Sequence, residues 1–218
     1  MNFFNIGSKL STKGKVKKSS APLPKPLFLM PPYVNASLVK GNFRNIVELP
    51  KYVDENEWLA INVSDLVNYI NLFYASISDF CTPRDCPSMS AGPGVEYTWT
   101  DNQRKAKTLP APQYVDYVMT SIQNMLEDED TFPTKTGGEF PKDFPSICRQ
   151  IFRQCFRVFA HIFHHHYDRL LCLREEAHFN SLFAHFISFA REFNLLDRKE
   201  MAPLQELIDH LQRNGVIV

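Results

Sequence analysis

Glycine and long apolar runs are both scarce in this sequence, and each scarcity excludes a class of protein. Only 8 of the 218 residues are glycine, and the signatures GxGxxG, GxxxxGK[ST] and GxSxG do not occur. The common nucleotide-binding loops and the hydrolase nucleophile elbow are therefore excluded, as is the zinc-protease motif HExxH. The longest apolar runs, such as Leu27 to Met30, are far shorter than the roughly 20 residues that span a bilayer. We expect no transmembrane segment.

The chain also lacks the usual signs of export. Its first residues, Met1 to Asn5, have neither the basic region nor the continuous apolar stretch of a secretory signal peptide. A cytoplasmic protein is therefore expected. In that compartment the 5 cysteines should be free thiols or metal ligands rather than disulfides.

Positive charge is concentrated at the beginning of a chain that is neutral as a whole. Residues 1–26 contain six lysines, three prolines and no acidic residue, a composition that predicts a flexible basic arm. Subtracting six from the 24 basic residues leaves 18 against 24 acidic ones, so residues 27–218 carry a net charge of −6. This balance disfavours nucleic acid as the main ligand and favours a basic partner. Binding of the arm to an anionic membrane or to nucleic acid is the alternative.

Apolar residues recur at the three- and four-residue spacing of helices through most of the chain. Five long helices are predicted. Four of them begin near Asp54, Pro112, Pro145 and Pro203, and the remaining one contains Phe179. Residues 81–111 are rich in proline and glycine and predict a long loop with a short β-hairpin. We therefore predict an all-α domain over residues 27–218, a helix bundle with a four-helix core and extra helices.

Two cysteines and two histidines have the composition of a structural zinc site. Cys81 and Cys86 end the first long helix, and His161 and His166 lie in the third. Two thiolates and two imidazoles form a tetrahedral zinc set that would staple the two helices and leave no open position for catalysis. Residues five apart on a helix point about 140° apart, however, so His165 is the better partner of His161 unless a helix end or a π-bulge intervenes. The alternative is a pair of inert cysteines and a solvated histidine cluster.

Glu175 and His178 have the Glu-x-x-His spacing of di-metal helical-bundle enzymes. That architecture requires a second Glu-x-x-His and two further glutamates, and no second copy of the motif occurs. A capping or core-edge role is the expected one for these two residues, and the di-metal enzyme is kept as an alternative function.

The first long helix carries a second stripe beside its apolar one. Its members mix acidic with large apolar side chains: Asp54, Trp58, Asp65, Tyr69 and Leu72. A basic helix could bury Trp58 and Leu72 as anchors and pair its Arg or Lys side chains with Asp65 and Glu57. In the alternative, Trp58 fills the edge of the core and the acids stabilise the positive end of the helix dipole.

Several blocks of the sequence match one known family. They are Asn56–Ala60, Met89–Pro93, Phe156–Ile162, Glu175–His178, Glu192–Leu195 and Ala202–Leu207. With these blocks the chain resembles a Mob (Mps-one-binder) protein over residues 33–214. Val39–Phe43 and Leu49–Asp54 resemble the branch that partners NDR-type kinases in cell morphogenesis.

The resemblance implies a non-catalytic adaptor that binds the N-terminal regulatory segment of an NDR- or LATS-type kinase and promotes its activity. Such proteins act in cell polarity, morphogenesis or cell division, in the cytoplasm and also in the nucleus or at cortical growth and division sites. The family's zinc ligands match Cys81, Cys86, His161 and His166. Its kinase-contact positions match Glu57, Trp58, Asp65, Leu72 and His185.

Arg153 and Arg157 are candidate phosphate-binding residues, because a four-residue spacing places them on one helix face. Many Mob proteins have a basic pocket here for a phosphorylated segment of an upstream kinase or scaffold. In this chain the position between them that is basic in those relatives is Gln154. An ordinary pair of surface arginines is the alternative.

Overall fold

The computed structural model describes residues 24–100, 105–135 and 137–217. Eight α-helices occur in these ranges, namely α1 Arg44–Val47, α2 Glu55–Ile77, α3 Ala111–Glu127, α4 Phe144–His165, α5 Tyr167–Leu173, α6 Glu176–Glu192, α7 Arg198–Met201 and α8 Gln205–Arg213. The four long helices α2, α3, α4 and α6 form the predicted bundle, so the all-α class is confirmed. Of the predicted basic arm, residues 1–23 lie outside the described residues.

Helix α2 begins where the sequence predicts. The Asp54 carboxylate accepts hydrogen bonds from the backbone N–H groups of Asn56 at 2.9 Å and Glu57 at 3.2 Å, which satisfies two of the free donors of the first turn. The apolar stripe of α2 is buried at Leu59, Val63, Leu66, Ile70 and Ile77. Val67 and Tyr74 are buried as well, because both α4 and α6 pack against this helix. No helix in the described part of the chain is long and apolar enough to cross a bilayer.

Helix α4 lies at the centre of the bundle and contacts α2, α3, α5 and α7. Its phenylalanines pack against those of α6: Phe152 stacks on Phe186 with ring centroids 4.6 Å apart, and Phe159 meets Phe183 at 5.3 Å. All four rings are buried, and burial of one such side chain contributes about 1.5–3 kcal/mol. The aromatic packing therefore fixes the helix that carries the two predicted histidine ligands.

The predicted loop after α2 contains the predicted hairpin. Strands β1 (Thr98–Thr100) and β2 (Ala106–Thr108) pair antiparallel, with Thr98 opposite Thr108. The loop approaches α4 closely at Gly92, which has a φ of 77°, and a Cβ there would lie 2.7 Å from His164 Nδ1. Glycine therefore allows both the backbone conformation and the close approach.

Candidate metal centre and adjoining surfaces

The structure brings Cys81, Cys86, His161 and His166 into one buried cluster. One donor atom from each residue lies within 4.8 Å of the others. Cys81 Sγ is 3.5 Å from His161 Nε2, and Cys86 Sγ is 3.5 Å from His166 Nε2. Across residues 24–100, 105–135 and 137–217, this is the one group of three or more Cys, His, Asp or Glu side chains arranged to hold a metal ion. The chain thus has a buried Cys2His2 group able to bind a metal.

Each half of the cluster comes from a place where a helix ends. Cys81 follows the 3-10 turn Ser78–Phe80 that terminates α2. The next turn is closed by Thr82, whose carbonyl accepts from the Cys86 N–H at 2.8 Å and whose hydroxyl donates to Asp85 at 2.6 Å. This tight turn brings the Cys86 thiol back beside the Cys81 thiol. The four residues between them are therefore enough to place both thiols in the cluster.

His166 joins the cluster because α4 stops one residue before it. His166 has φ −132° and ψ 9° and separates α4 from α5, so the helical angle between positions 161 and 166 does not apply. The geometric preference for His165 is therefore corrected. His165 does share a face with His161, with ring centroids 4.8 Å apart, but its Nε2 shares a hydrogen bond with the Ser90 hydroxyl at 3.0 Å.

A backbone carbonyl orients one of the two imidazoles. His161 Nδ1 lies 2.9 Å from the Ser90 carbonyl oxygen, so Nδ1–H donates to it and Nε2 keeps its lone pair toward the thiols. A hydrogen bond from the far ring nitrogen to a carbonyl is the usual support of a metal-bound histidine. The imidazole is thus oriented as a ligand.

Burial keeps the isolated cluster uncharged. It lowers the pKa of His161 to about 3 and that of His166 to about 4, so both imidazoles are neutral at pH 7. Burial also raises the pKa of Cys81, and it raises that of Cys86 to about 12. A divalent cation reverses the situation of the thiols, since a coordinating thiol is deprotonated. Two neutral imidazoles, together with two thiols that lose their protons when a divalent cation binds them, fit the donor set of a Zn²⁺ ion.

The outer face of α2 exposes large apolar side chains among acids. Ile61, Tyr69 and Leu72 are 58%, 52% and 66% exposed, and Glu57 and Asp65 are exposed on the same helix. We call these five residues the α2 face. The sequence stripe missed Ile61, although its place midway between Trp58 and Asp65 could have revealed it. Glu57 and Ile61 also line a cleft of about 580 Å³ between α2 and the loop after α3.

Two of the predicted kinase-contact residues are engaged with the body of the protein. Trp58 is partly buried against the core, and its indole N–H donates to the Val47 carbonyl at 3.1 Å. His185 lies on α6 and stacks on Phe43 with ring centroids 5.5 Å apart. Burial lowers the pKa of His185, so its ring is neutral at pH 7. Both residues therefore support the segment that contains α1.

Arg153 and Arg157 both form ion pairs with the carboxylate of Glu200. Glu200 Oε1 lies 3.3 Å from Arg153 Nε and 3.6 Å from Arg157 Nη2. Arg157 also donates to the Tyr114 hydroxyl at 3.0 Å, and its guanidinium lies over the Tyr97 ring. The structure thus brings the two arginines together, and it places a carboxylate from α7 between them.

Glu175 and His178 line a small cleft beside Leu72 and Phe73. Glu175 is the N-cap residue of α6 and accepts a hydrogen bond from the Ser76 hydroxyl at 3.3 Å, and His178 lies in the first turn of α6. They form part of the protein surface, and within the described ranges no further metal-ligating side chains cluster with them. The arrangement does not support a di-metal centre.

Comparison with known proteins identifies the class. Residues 35–204 match the model of the Mob1/phocein family, and the chain belongs to that family, which confirms the resemblance. The chain is 50% identical over 210 residues to the CBK1 kinase activator protein MOB2 of Candida albicans, covering 96% of this chain and 67% of the relative. It is 48% identical over 212 residues to the maintenance of ploidy protein mob2 of Schizosaccharomyces pombe, covering 96% and 87%. It is also 48% identical over 192 residues to the CBK1 kinase activator protein MOB2 of Saccharomyces cerevisiae, covering 88% and 67%.

Proposed function

We propose that this chain is a non-catalytic adaptor that binds the N-terminal regulatory segment of an NDR- or LATS-type serine/threonine kinase and promotes the activity of that kinase. Two of its relatives are named as activators of the CBK1 kinase. The observation that carries the proposal is the α2 face, where exposed apolar side chains alternate with acids on one rigid helix. That pattern suits a basic, amphipathic helix.

The contacts divide into anchors and charges. Leu72, Tyr69 and Ile61 offer apolar area that a partner helix would cover, which is the main source of affinity. Glu57 and Asp65 would pair with arginines or lysines of the segment and set its register. Trp58 contributes the part of its ring that remains exposed, while its indole N–H holds α1 in place. His185 contributes indirectly through Phe43.

The Cys2His2 group is proposed to hold a structural Zn²⁺. The ion would connect the end of α2, through Cys81 and Cys86, to the junction of α4 and α5, through His161 and His166. When bound, it supplies four strong bonds between elements that are distant in sequence. The consequence for function is that the end of α2, and with it the α2 face, keeps a fixed orientation against the bundle.

The adaptor is proposed to act in cell polarity, morphogenesis or cell division, as a cytoplasmic protein that also reaches the nucleus or cortical growth and division sites. The support is the family and the resemblance to its morphogenesis branch. Imaging of a fluorescently tagged chain in cells at successive stages of growth and division tests this placement. Exclusive localisation to a secretory compartment would contradict it.

A pull-down with paired charge reversals tests the proposed function. Glu57→Lys should reduce retention of a kinase N-terminal segment roughly tenfold or more, because an attractive charge becomes repulsive at the interface. Glu55→Lys is the matched control: both glutamates are exposed in the first turn of α2, but their side chains point about 160° apart around the helix axis. Helical circular dichroism should be unchanged in both variants. Equal binding by wild type and Glu57→Lys would contradict the proposal.

A further inference from the structure

The cleft between α2 and the loop after α3 is largely apolar. Its volume is about 580 Å³, within the roughly 300–1,000 Å³ range of ligand pockets. One wall is formed by α2 through Ala60, Ile61 and Ser64, and the other by Leu126, at the end of α3, and by the loop that follows it. The cleft therefore has room for a large apolar side chain of a partner.

The loop that forms the second wall is held in place by the core and by its own hydrogen bonds. Phe132 lines the cleft and is buried, and its ring meets that of Phe144 in α4 with centroids 5.0 Å apart. The Phe132 N–H donates to the Asp128 carbonyl at 2.8 Å. Thr134, a further lining residue, donates to the Glu129 carboxylate from its hydroxyl at 2.6 Å and from its backbone N–H at 3.2 Å. The wall is thus formed before a partner binds, and binding does not have to order it.

The surroundings of the cleft are acidic. Glu57 lines it, and residues 127–130, which are Glu-Asp-Glu-Asp and all exposed, connect Leu126 to the loop wall. Among the described lining residues, Lys135 alone is basic. Five acids against one lysine give a local net charge of −4. We therefore expect the occupant to carry positive charge beside its apolar side chain, since complementary charges steer association and fix the register.

We propose that this cleft is a second docking site for the basic kinase segment, which places a large apolar side chain in the cleft while its neighbouring Arg or Lys side chains face residues 127–130. This inference rests on the proposed function and extends it. The cleft is continuous with the α2 face, because Glu57 and Ile61 belong to both. Ser64 lies about 20° from Glu57 around the helix axis, on the side away from Asp65. A segment that crosses α2 therefore meets the α2 face and the cleft in succession.

Ser64→Arg fills the cleft and adds a positive charge to it. Fluorescence anisotropy with a labelled N-terminal segment of an NDR-type kinase should show an affinity roughly tenfold or more below that of the wild type, because the arginine excludes the apolar side chain and repels its basic neighbours. Asn71→Arg is the matched control. Asn71 is exposed and lies two turns further along the same side of α2, but it does not line the cleft, so its affinity should stay within about twofold of the wild type.

Leu72→Ala separates this inference from the proposed function, since Leu72 belongs to the α2 face and does not line the cleft. Wild-type protein that binds no kinase segment would overturn both. Weaker binding by Leu72→Ala together with wild-type binding by Ser64→Arg would overturn the role of the cleft alone. Equal losses in Ser64→Arg and Asn71→Arg would overturn it as well.

Photo-crosslinking identifies the occupant in a protein with an unchanged α2. With p-benzoylphenylalanine in place of Lys135, which lines the cleft, irradiation should crosslink the chain to the kinase segment, as located by mass spectrometry. The same group in place of Cys172, an exposed residue of α5, should give no such crosslink. A crosslink from position 135 to the chain's own basic arm or to a second copy of the chain would overturn the proposal, as would the absence of a crosslink to the segment.

Discussion

The indole N–H of Trp58 donates to the carbonyl of Val47 at 3.1 Å, so a single side chain ties α2 to the last residue of α1. On the other side of α1, Phe43 stacks on His185 of α6. Helix α1 is only four residues long and too short to be stable by itself. Two of the predicted kinase-contact residues thus hold one short helix from opposite ends.

This arrangement predicts different effects for two substitutions on the same helix. Trp58→Ala should lower the free energy of unfolding by about 2 kcal/mol, roughly half the loss at a fully buried aromatic position, because Trp58 is only partly buried. Leu72→Ala should change it by about 0.5 kcal/mol or less, since Leu72 is exposed. Both should weaken binding of the kinase segment. Urea denaturation followed by circular dichroism measures the difference, and an equal loss in the two variants would contradict the role given to Trp58.

Removing the metal should lower thermal stability. An ion present at a thousand times its dissociation constant contributes about 4 kcal/mol, which corresponds to a shift in Tm of roughly 8–16 °C for a domain of this size. Calorimetry of wild type with and without a strong chelator measures the shift. Cys86→Ser should have the Tm of the chelator-treated wild type, and chelator should not change it further. Cys172→Ser is the control, because Cys172 is exposed and lies outside the cluster; this variant should behave as wild type. A chelator-resistant wild type with the same Tm would argue against a structural metal.

Metal affinity should rise with pH in a defined way. At pH 7 the thiols of Cys81 and Cys86 are protonated and the imidazoles of His161 and His166 are neutral, because burial raises the first two pKa values and lowers the last two. Binding therefore releases two protons, and affinity should fall roughly 100-fold for each pH unit from 8 to 6. Calorimetric titration in buffers of different ionisation enthalpy counts the protons. A count near zero would show that the thiolates exist before the metal binds.

The arginine pair should discriminate poorly between phosphorylated and unphosphorylated peptides. A phosphate would have to replace the Glu200 carboxylate, which lies within ion-pair distance of both Arg153 and Arg157. Glu200→Gln removes that competing charge and should raise affinity for a phosphothreonine peptide, while affinity for its unphosphorylated twin stays unchanged. Fluorescence titration with both peptides tests this. Tight, phosphate-dependent binding by the wild type would contradict this prediction, because it would show that a phosphate displaces the Glu200 carboxylate from the two arginines.

The sequence predicted the parts of the fold that depend on local chemistry. The apolar spacing located the four long helices, and Asp54 marked the start of α2 by the side-chain cap that the structure shows. Helix α1 could not be predicted, because four residues are too few to show a helical period. Its position depends on the hydrogen bond from Trp58 to Val47, 11 residues earlier in the chain. The hairpin was visible as a proline- and glycine-rich loop, but its register depends on pairing that local sequence does not encode.

The candidate site shows the same division. The Cys2His2 set could be read from residue types, but the choice between His165 and His166 depended on where α4 ends, which is set by tertiary packing. Glu200 gave no signal as a partner of Arg153, since the two residues are 47 positions apart and meet only in the fold. Ile61 follows Glu57 and precedes Asp65 by four residues each, so helical spacing alone places it on the α2 face.

The central claim is that this chain activates a kinase by binding its N-terminal regulatory segment. The most direct test measures phosphate transfer to a peptide substrate by a purified NDR-type kinase, with and without this protein, using both the intact kinase and a form that lacks the N-terminal segment. The account predicts that the rate rises with added protein only for the intact kinase, and that Glu57→Lys abolishes the rise. Unchanged rates for the intact kinase, or equal stimulation of the truncated one, would contradict it.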